Sequence, residues 1–298
     1  MIIAVLGNSH FAPIIIERIT KFDTKNTYIY YNTSEKQIDK IKFLLKIPFI
    51  DIVYSISASI KYGGALGIAL FFNKKIVQHF IGTDVLTAIE DYTNKNYSKK
   101  LMNRSKYLSE VDWIQTELMR INIETTISSI AAVNKKNCDA SFSNKFIILG
   151  YMAENYEDFY GLDYYIKLAE KFPDINIRVM GIKKSKKKLP KNIILLGWIK
   201  DTKTEFLNSI LFLRLTVHDG LPFSVIESLS YSRYVAMTNK FPYTTYIQEY
   251  KELEKYVGFL KTKFSKNELE INRDGAHFVS EEYLEEKVIK SLIHNIIN

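Results

Sequence analysis

Residues 213–230 read LRLTVHDGLPFSVIESLS. The apolar run 210–215 predicts a buried strand, 216–221 breaks the period, and Pro222 opens a helix whose apolar positions are Val225, Ile226 and Leu229. Strand, tight turn and helix N-terminus together present free backbone N–H groups and the positive end of a helix dipole above a sheet, which suits a phosphate. Asp219 in the turn and Glu227 in the helix frame it, eight positions apart. A carboxylate touching phosphate would repel it, so both acids are better placed to accept hydrogen bonds from neighbouring sugar hydroxyls. Phosphate in the middle with hydroxyls on either side fits a sugar nucleotide. The same residues also suit an ordinary helix with an Asp or Thr cap and an exposed Glu, so the rest of the chain decides.

At 298 residues, 47% hydrophobic and 25% charged, the chain suits two globular domains with buried sheets. Its net charge of +8 is shared between the halves: residues 1–140 hold 18 basic and 13 acidic side chains, the remainder 23 and 20. Such a surface favours anionic partners: a nucleotide diphosphate, acidic lipid headgroups or nucleic acid. Cys138 is the single cysteine, which excludes an intrachain disulfide framework or a cysteine metal site. The start MIIAVLG reads as a first strand and not a signal peptide, and the longest apolar run, 65–72, is too short to span a bilayer. The expected location is the cytoplasm, with peripheral contact at an anionic membrane surface.

Residues 2–7 predict a strand ending at Gly7, followed by Asn8, Ser9, His10 and a helical pattern over 14–22. This is the opening of a doubly wound α/β domain, without the further glycines of a dinucleotide fingerprint. Further strands are expected at 27–32, 51–56, 75–81 and 113–116, with helices near 34–46 and 60–72. Beyond the strand ending at His79-Phe80 lie Gly82, Thr83 and Asp84, polar groups where open sheets bind ligands. Lys99, Lys100, Arg104 and Lys106 largely share one side at helical spacing, as a solvated face or as a membrane or acceptor-binding face. Residues 126–144 have the composition of a domain crossover. The second half repeats the scheme, with strands at 146–152, 175–181, 193–198, 210–216 and 233–239, helices at 160–172, 202–209, 222–231 and 243–256, and a last helix over 280–296. The expected domains are therefore 1–133 and 145–279, with 280–298 packing back toward the first.

HDGLPFSVIESLS resembles the paired-acid signature of glycosyltransferases of the GT-B fold, most closely those of family 4, with Asp219 in place of the usual first Glu. HFIGTDV (79–85) is similar to a segment at the active-site edge of some GT-B transferases, and GLDYYIKLAEKFPDINIRVMG followed by NIILLGW reads like a family 4 nucleotide-binding domain. The resemblance implies an α/β fold of two Rossmann-like domains facing across a cleft. It implies Trp198 and Ile199 near the base, Glu227 on the ribose, and Asp219 with Gly220 on the donor sugar. Gly7, Asn8, His218, Leu221, Phe223 and Ser224 would complete the donor side, His10, Thr83 and Asp84 the acceptor side, and His79 would contact the donor sugar or steer the acceptor.

Two departures stand out. The family's usual Arg and Lys, which neutralise the diphosphate, are replaced by Tyr151 and Tyr160, with Glu154, Glu157 and Asp158 between them. Arg214, in an otherwise apolar strand, is the first substitute; its alternative role is a buried salt bridge, with Glu227 as a candidate partner. Lys183 and Lys184, at the start of KKSKKK, are the second; that run otherwise reads as a solvated loop, without aromatic interleaving or a nucleic-acid motif. No Asp-x-Asp metal motif occurs, so no metal or other cofactor is expected. The function implied is a metal-independent, retaining transfer of a hexose-type sugar from a nucleotide diphosphate to a hydroxyl of a glycan or lipid-linked glycan. The reading kept beside it is a non-catalytic GT-B-like subunit that binds a glycan or a partner transferase.

Overall fold

The computed structural model describes residues 1–7, 9–134 and 141–298. Asn8 and Cys138, both singled out from the sequence, lie outside the described residues, as does part of the crossover expected at 126–144. The chain forms two compact units: Met1–Ala132 with Asp219–Leu221 and Glu285–Asn298, and Val133–His218 with Pro222–Leu284.

In the first unit the chain runs through β1 (Ile2–Leu6), α1 (Phe11–Phe22), β2 (Thr27–Tyr31), α2 (Gln37–Lys46), β3 (Ile52–Ile56), α3 (Gly64–Phe71), β4 (Lys75–Phe80), α4 (Asp84–Thr93), α5 (Lys99–Arg104), β5 (Ser105–Ser109), α6 (Asp112–Met119) and β6 (Thr126–Ile127). The sheet is parallel throughout, in the order β2-β1-β3-β4-β5-β6. Parallel sheets are covered on both faces, and β3, IVYSI, is accordingly buried at every position.

The second unit contains β7 (Ile147–Tyr151), α7 (Leu162–Lys171), β8 (Asn176–Met180), β9 (Ile193–Gly197), α8 (Lys203–Asn208), β10 (Leu211–Arg214), α9 (Phe223–Ser230), β11 (Tyr234–Met237), β12 (Thr245–Tyr246), α10 (Tyr250–Ser265) and α11 (Arg273–Glu282). Its parallel sheet runs β12-β11-β10-β7-β8-β9, the order of a Rossmann domain. The direction of winding reverses between β7 and β10. At such a switch point the loops diverge and leave a crevice at the strands' carboxyl ends.

The last helix, α12 (Glu285–Ile297), belongs to the first unit and packs on α1. It buries Val288, Ile289, Leu292 and Ile296. Its last carbonyls, the negative end of its dipole, accept from two sheet lysines: Lys75 Nζ reaches the Ile297 oxygen at 2.6 Å and Lys106 Nζ the Asn295 oxygen at 2.7 Å. Burial, and then the neighbouring Lys75, pull the Lys106 ammonium below its ordinary range.

Four local expectations are corrected. Residues 113–116 lie in helix α6, because Ile114 and Leu118 face inward at a spacing of four, a period that a four-residue window cannot reveal. The strand of that region is β5, and it contains Lys106, so the basic residues at 99–106 do not share one helix face. The helix expected at 243–256 begins only at Tyr250, where Glu252 accepts from the Gln248 and Glu249 N–H groups; residues 245–246 pair with β11 instead. The helix expected over 280–296 is two helices, parted at Tyr283 and Leu284, where Val133 pairs with Leu284.

The switch point tolerates little added volume. A Cβ on Gly150 would lie 2.5 Å from the Tyr165 ring, whose hydroxyl donates to the Leu213 carbonyl at 2.9 Å and so ties α7 to β10. Gly150→Ala is expected to cost about 1–3 kcal/mol, as overpacking of a fixed ring does. Urea unfolding checks it; an unchanged midpoint would mean that Tyr165 is free to move.

Candidate functional site

Arg214 ends β10 and Tyr151 ends β7, so the two stand side by side at the switch point of the second sheet. The guanidinium carbon lies 5.3 Å from the centroid of the Tyr151 ring and 4.9 Å from that of Tyr160, and the two rings meet edge to face. Arg214 is 8% exposed. Removing a cation from water costs several kcal/mol, and two π-faces return about 0.5–2 kcal/mol each when desolvated. The tyrosines that occupy the expected cation positions therefore hold a cation supplied by another strand. The same end of the sheet carries a pocket of about 660 Å³, lined among others by Gly161, Leu215, Thr216, Val217 and Thr238, a volume suited to a small ligand.

The helix that follows, α9, starts after Pro222, whose φ of −65° is set by its ring and which supplies no capping side chain. Phe223 and Ser224 fill its first turn, half-buried, and Glu227 is half-buried one turn on. Trp198 and Ile199 follow β9, Trp198 with 67% of its surface exposed. Lys183 and Lys184 are exposed. In the same run Lys187 is bound to Asp158 at 2.5 Å and to Asp163 at 2.7 Å, which raises its ammonium above the ordinary range. Of the acids between Tyr151 and Tyr160, Asp158 thus finds a basic partner within its own unit.

Asp219, Gly220 and Leu221 belong to the first unit, and their backbone is fixed there. Trp113 Nε1 donates to the Asp219 carbonyl at 2.9 Å, and the Leu221 N–H donates to Glu110 Oε2 at 3.3 Å. Gly220 is required by proximity: a Cβ there would collide with the Ile81 carbonyl and lie 2.6 Å from Glu110 Oε2. Gly82 packs closely from the other side, 3.4 Å from the Gly220 nitrogen at its own notional Cβ. Asp84 pins the 81–84 turn, accepting from the N–H groups of Ala58 (2.9 Å), Gly82 (2.8 Å) and Ile81 (3.2 Å). Thr83 is exposed beside it, His10 is exposed at the start of α1, and Gly7 closes β1, its carbonyl accepting from Tyr30.

Glu110 was not anticipated, nor was Trp113. Glu110 is 3% exposed, and among the described residues its Oε1 has no partner of full hydrogen-bond geometry. Burial pushes its carboxyl well above the ordinary range; the Leu221 and Ile130 backbone groups oppose this, and the charges of Asp219 and Asp84 add to it. The available signal was an acid directly after a strand, obscured because β5 itself was not read. His79 is placed otherwise than expected. It is fully buried, Nδ1 bonded to the Tyr54 hydroxyl at 2.8 Å and Nε2 without a partner of hydrogen-bond geometry. Burial lowers its pKa to about 3, partly opposed by the Ser128 backbone, so the ring is neutral and sealed from any sugar.

Among the described residues no cluster of three His, Cys, Asp or Glu side chains could hold a metal, and no helix is long and apolar enough to cross a membrane. No family model and no curated protein matches the sequence. Solved structures do resemble it. Anabaena HepE, solved with UDP and glucose, has a TM-score of 0.72 at 12% identity, over 100% of this chain and 99% of that one. A sucrose-phosphate synthase of Thermosynechococcus elongatus has 0.70 at 8%, over 99% and 98%. A glycosyltransferase of Rickettsia africae has 0.69 at 13%, over 98% and 96%. The chain has the GT-B fold of two Rossmann-like domains. At these identities the likeness carries the architecture alone.

Glu110 sets a pH dependence. A carboxyl whose folded pKa lies above its unfolded value binds more protons folded than unfolded, so stability falls as pH rises from about 4.5 toward the folded value. Glu110→Gln, which keeps an acceptor for the Leu221 N–H, is expected to raise the thermal midpoint relative to wild type more at pH 8 than at pH 5. An equal shift at both pH values in thermal unfolding would contradict a proton held by Glu110.

Proposed function

We propose that the protein is a glycosyltransferase that moves a sugar from a nucleotide diphosphate to a hydroxyl of a glycan or lipid-linked glycan, with retention of configuration and without a metal. The observation that carries the reading is Arg214 at the switch point, steadied by Tyr151 and Tyr160 and followed by the N-terminus of α9. The helix end supplies about half an elementary charge against the two or three of a diphosphate, and the guanidinium adds a full charge in a fork that matches two phosphate oxygens. The absence of an Asp-x-Asp motif supports compensation by protein groups.

In this mechanism the bond from the anomeric carbon to the diphosphate oxygen breaks and the acceptor oxygen bonds to that carbon on the same face. The acceptor proton passes to the departing phosphate, so no strong protein base is needed. Asp219 holds sugar hydroxyls, Glu227 the ribose, and Trp198 the base. His79, sealed against Tyr54, supports β4 from within and contacts no substrate. The second reading, a nucleotide- or glycan-binding subunit without transfer, draws on the neutral tyrosines at the expected cation positions. Nucleotide release that depends on an added acceptor separates the two.

A thermal-shift screen of nucleoside diphosphates identifies the base, since a ligand that binds only the folded state raises its stability. Arg214→Lys is then expected to fold and to bind that diphosphate about 10–100-fold more weakly, while the parent nucleoside binds as before. Calorimetry decides: equal losses for both ligands would assign Arg214 a structural role, and no stabilisation by any nucleotide would remove the proposed function.

The two acids divide the work differently. Glu227→Ala is expected to weaken nucleotide affinity more than Asp219→Ala, whereas Asp219→Ala chiefly lowers turnover. Equal loss of diphosphate binding in both folded variants would contradict that division.

A further inference from the structure

Helix α2, QIDKIKFLLK, faces the wrong way for a helix of a purely soluble surface. It buries one residue, Phe43, and leaves Ile38, Ile41, Leu44 and Leu45 exposed by 56, 55, 49 and 69%. At 100° per residue these four occupy one continuous stripe, on the side away from Phe43, bordered by Lys42 on one flank, with Lys46 behind it, and by Lys40 on the other. The apolar surface continues beyond the helix. Phe49, Phe71 and Phe72 are exposed by 69, 78 and 39%, and Leu44 shares a groove of about 510 Å³ with Tyr62, Ile68, Phe71 and Phe72. Eight large exposed hydrophobic side chains thus come from residues 38–72, a concentration beyond the scattered apolar residues of an ordinary surface.

The charge along α2 is predominantly positive outward. Lys36, Lys40, Lys42 and Lys46 are exposed along α2 and its entry, whereas the two acids of the stretch turn to the backbone and side chain of Asn32: Asp39 accepts from its N–H at 3.0 Å and Glu35 from its amide at 2.6 Å. The basic run at 99–106 does not offer an equivalent face, since Arg104 donates to Asn73 and Lys106 to the end of α12.

We infer that the α2–α3 face docks on an anionic lipid bilayer. Ile38, Ile41, Leu45 and the phenylalanines enter the boundary between headgroups and acyl chains, and the lysines lay their stems on the apolar surface while their ammonium groups meet lipid phosphates. A second copy fits the face less well, because a two-fold contact would set one lysine border against another. The inference stands on the first unit alone and does not depend on the transfer reaction.

Co-sedimentation with vesicles of phosphatidylcholine, alone or containing phosphatidylglycerol, tests it. The protein is expected to partition onto the anionic vesicles at least about tenfold more strongly than onto the neutral ones. Ile41→Ser with Leu45→Ser, and separately Lys42→Glu with Lys46→Glu, are each expected to reduce that partitioning about tenfold, with thermal midpoints at or above wild type because every altered side chain is exposed. Should the serine variant fail to fold, the lysine variant carries the test. Equal binding to both vesicle types, or partitioning unaffected by the lysine reversals, overturns the inference. So does a wild-type dimer in analytical ultracentrifugation that the serine variant converts to monomer, which would assign the face to a second copy.

Discussion

A guanidinium almost out of water at the carboxyl end of a parallel sheet sets the terms for the second unit. Arg214 ends a strand whose other residues, Leu211, Phe212 and Leu213, are fully buried, so the charge is delivered by the backbone to a place that side-chain solvation alone would disfavour. Tyr151 and Tyr160 make the position tenable by offering ring faces, and β7 places Tyr151 there because it pairs directly with β10. The reversal in strand order opens the crevice, and the neighbouring strand fills it with the charge. A neutral pair of rings thus lies against a cation that approaches from the adjacent strand.

The residues that follow Arg214 obey a different constraint. Between Leu215 and Pro222 the chain leaves its sheet, and Gly220 passes so close to the Ile81 carbonyl and the Glu110 carboxyl that no side chain fits. Close approach of this kind fixes the path of the backbone, and side chains take up its donors: the Gly220 N–H donates to Asp219 Oδ1 at 3.0 Å and the Leu221 N–H to Glu110 Oε2 at 3.3 Å. Glu110 lies beneath this turn, and burial raises its carboxyl well above the ordinary range, which disfavours a second negative charge beside Asp219.

Much of the architecture was legible because a parallel strand covered on both faces is a predominantly apolar run: residues 2–6, 52–56, 147–151 and 211–214 announce themselves in this way, with Ser55 and Arg214 as the polar exceptions. Strand β5, SKYLS, was not legible, since an edge-proximal strand with a lysine and two serines has no such signature, and its neighbour α6 was mistaken for the missing strand. The turn at 216–222 could be read from its punctuation by Gly and Pro. What the sequence could not convey was depth. His79 looks like a polar group at a strand's end, and only the packing of Tyr54 against it shows a ring sealed in the core. Likewise Glu110 resembles any loop acid until the chain from residue 219 is folded onto it. The contacts that define both residues span 25 and 111 positions, a separation no local pattern encodes.

The route of the chain also bears on its synthesis. Helix α12 packs on α1, and about 260 positions of chain separate the two. At about 5–20 residues per second, the interval between the two is on the order of ten to sixty seconds. During that time the nascent first unit carries an uncovered strip on the side of α1 that α12 contacts, in addition to the outward stripe of α2, which stays exposed in the folded chain. A polypeptide released short of residue 285 would keep that strip bare, which makes it a natural handle for chaperones and quality-control proteases.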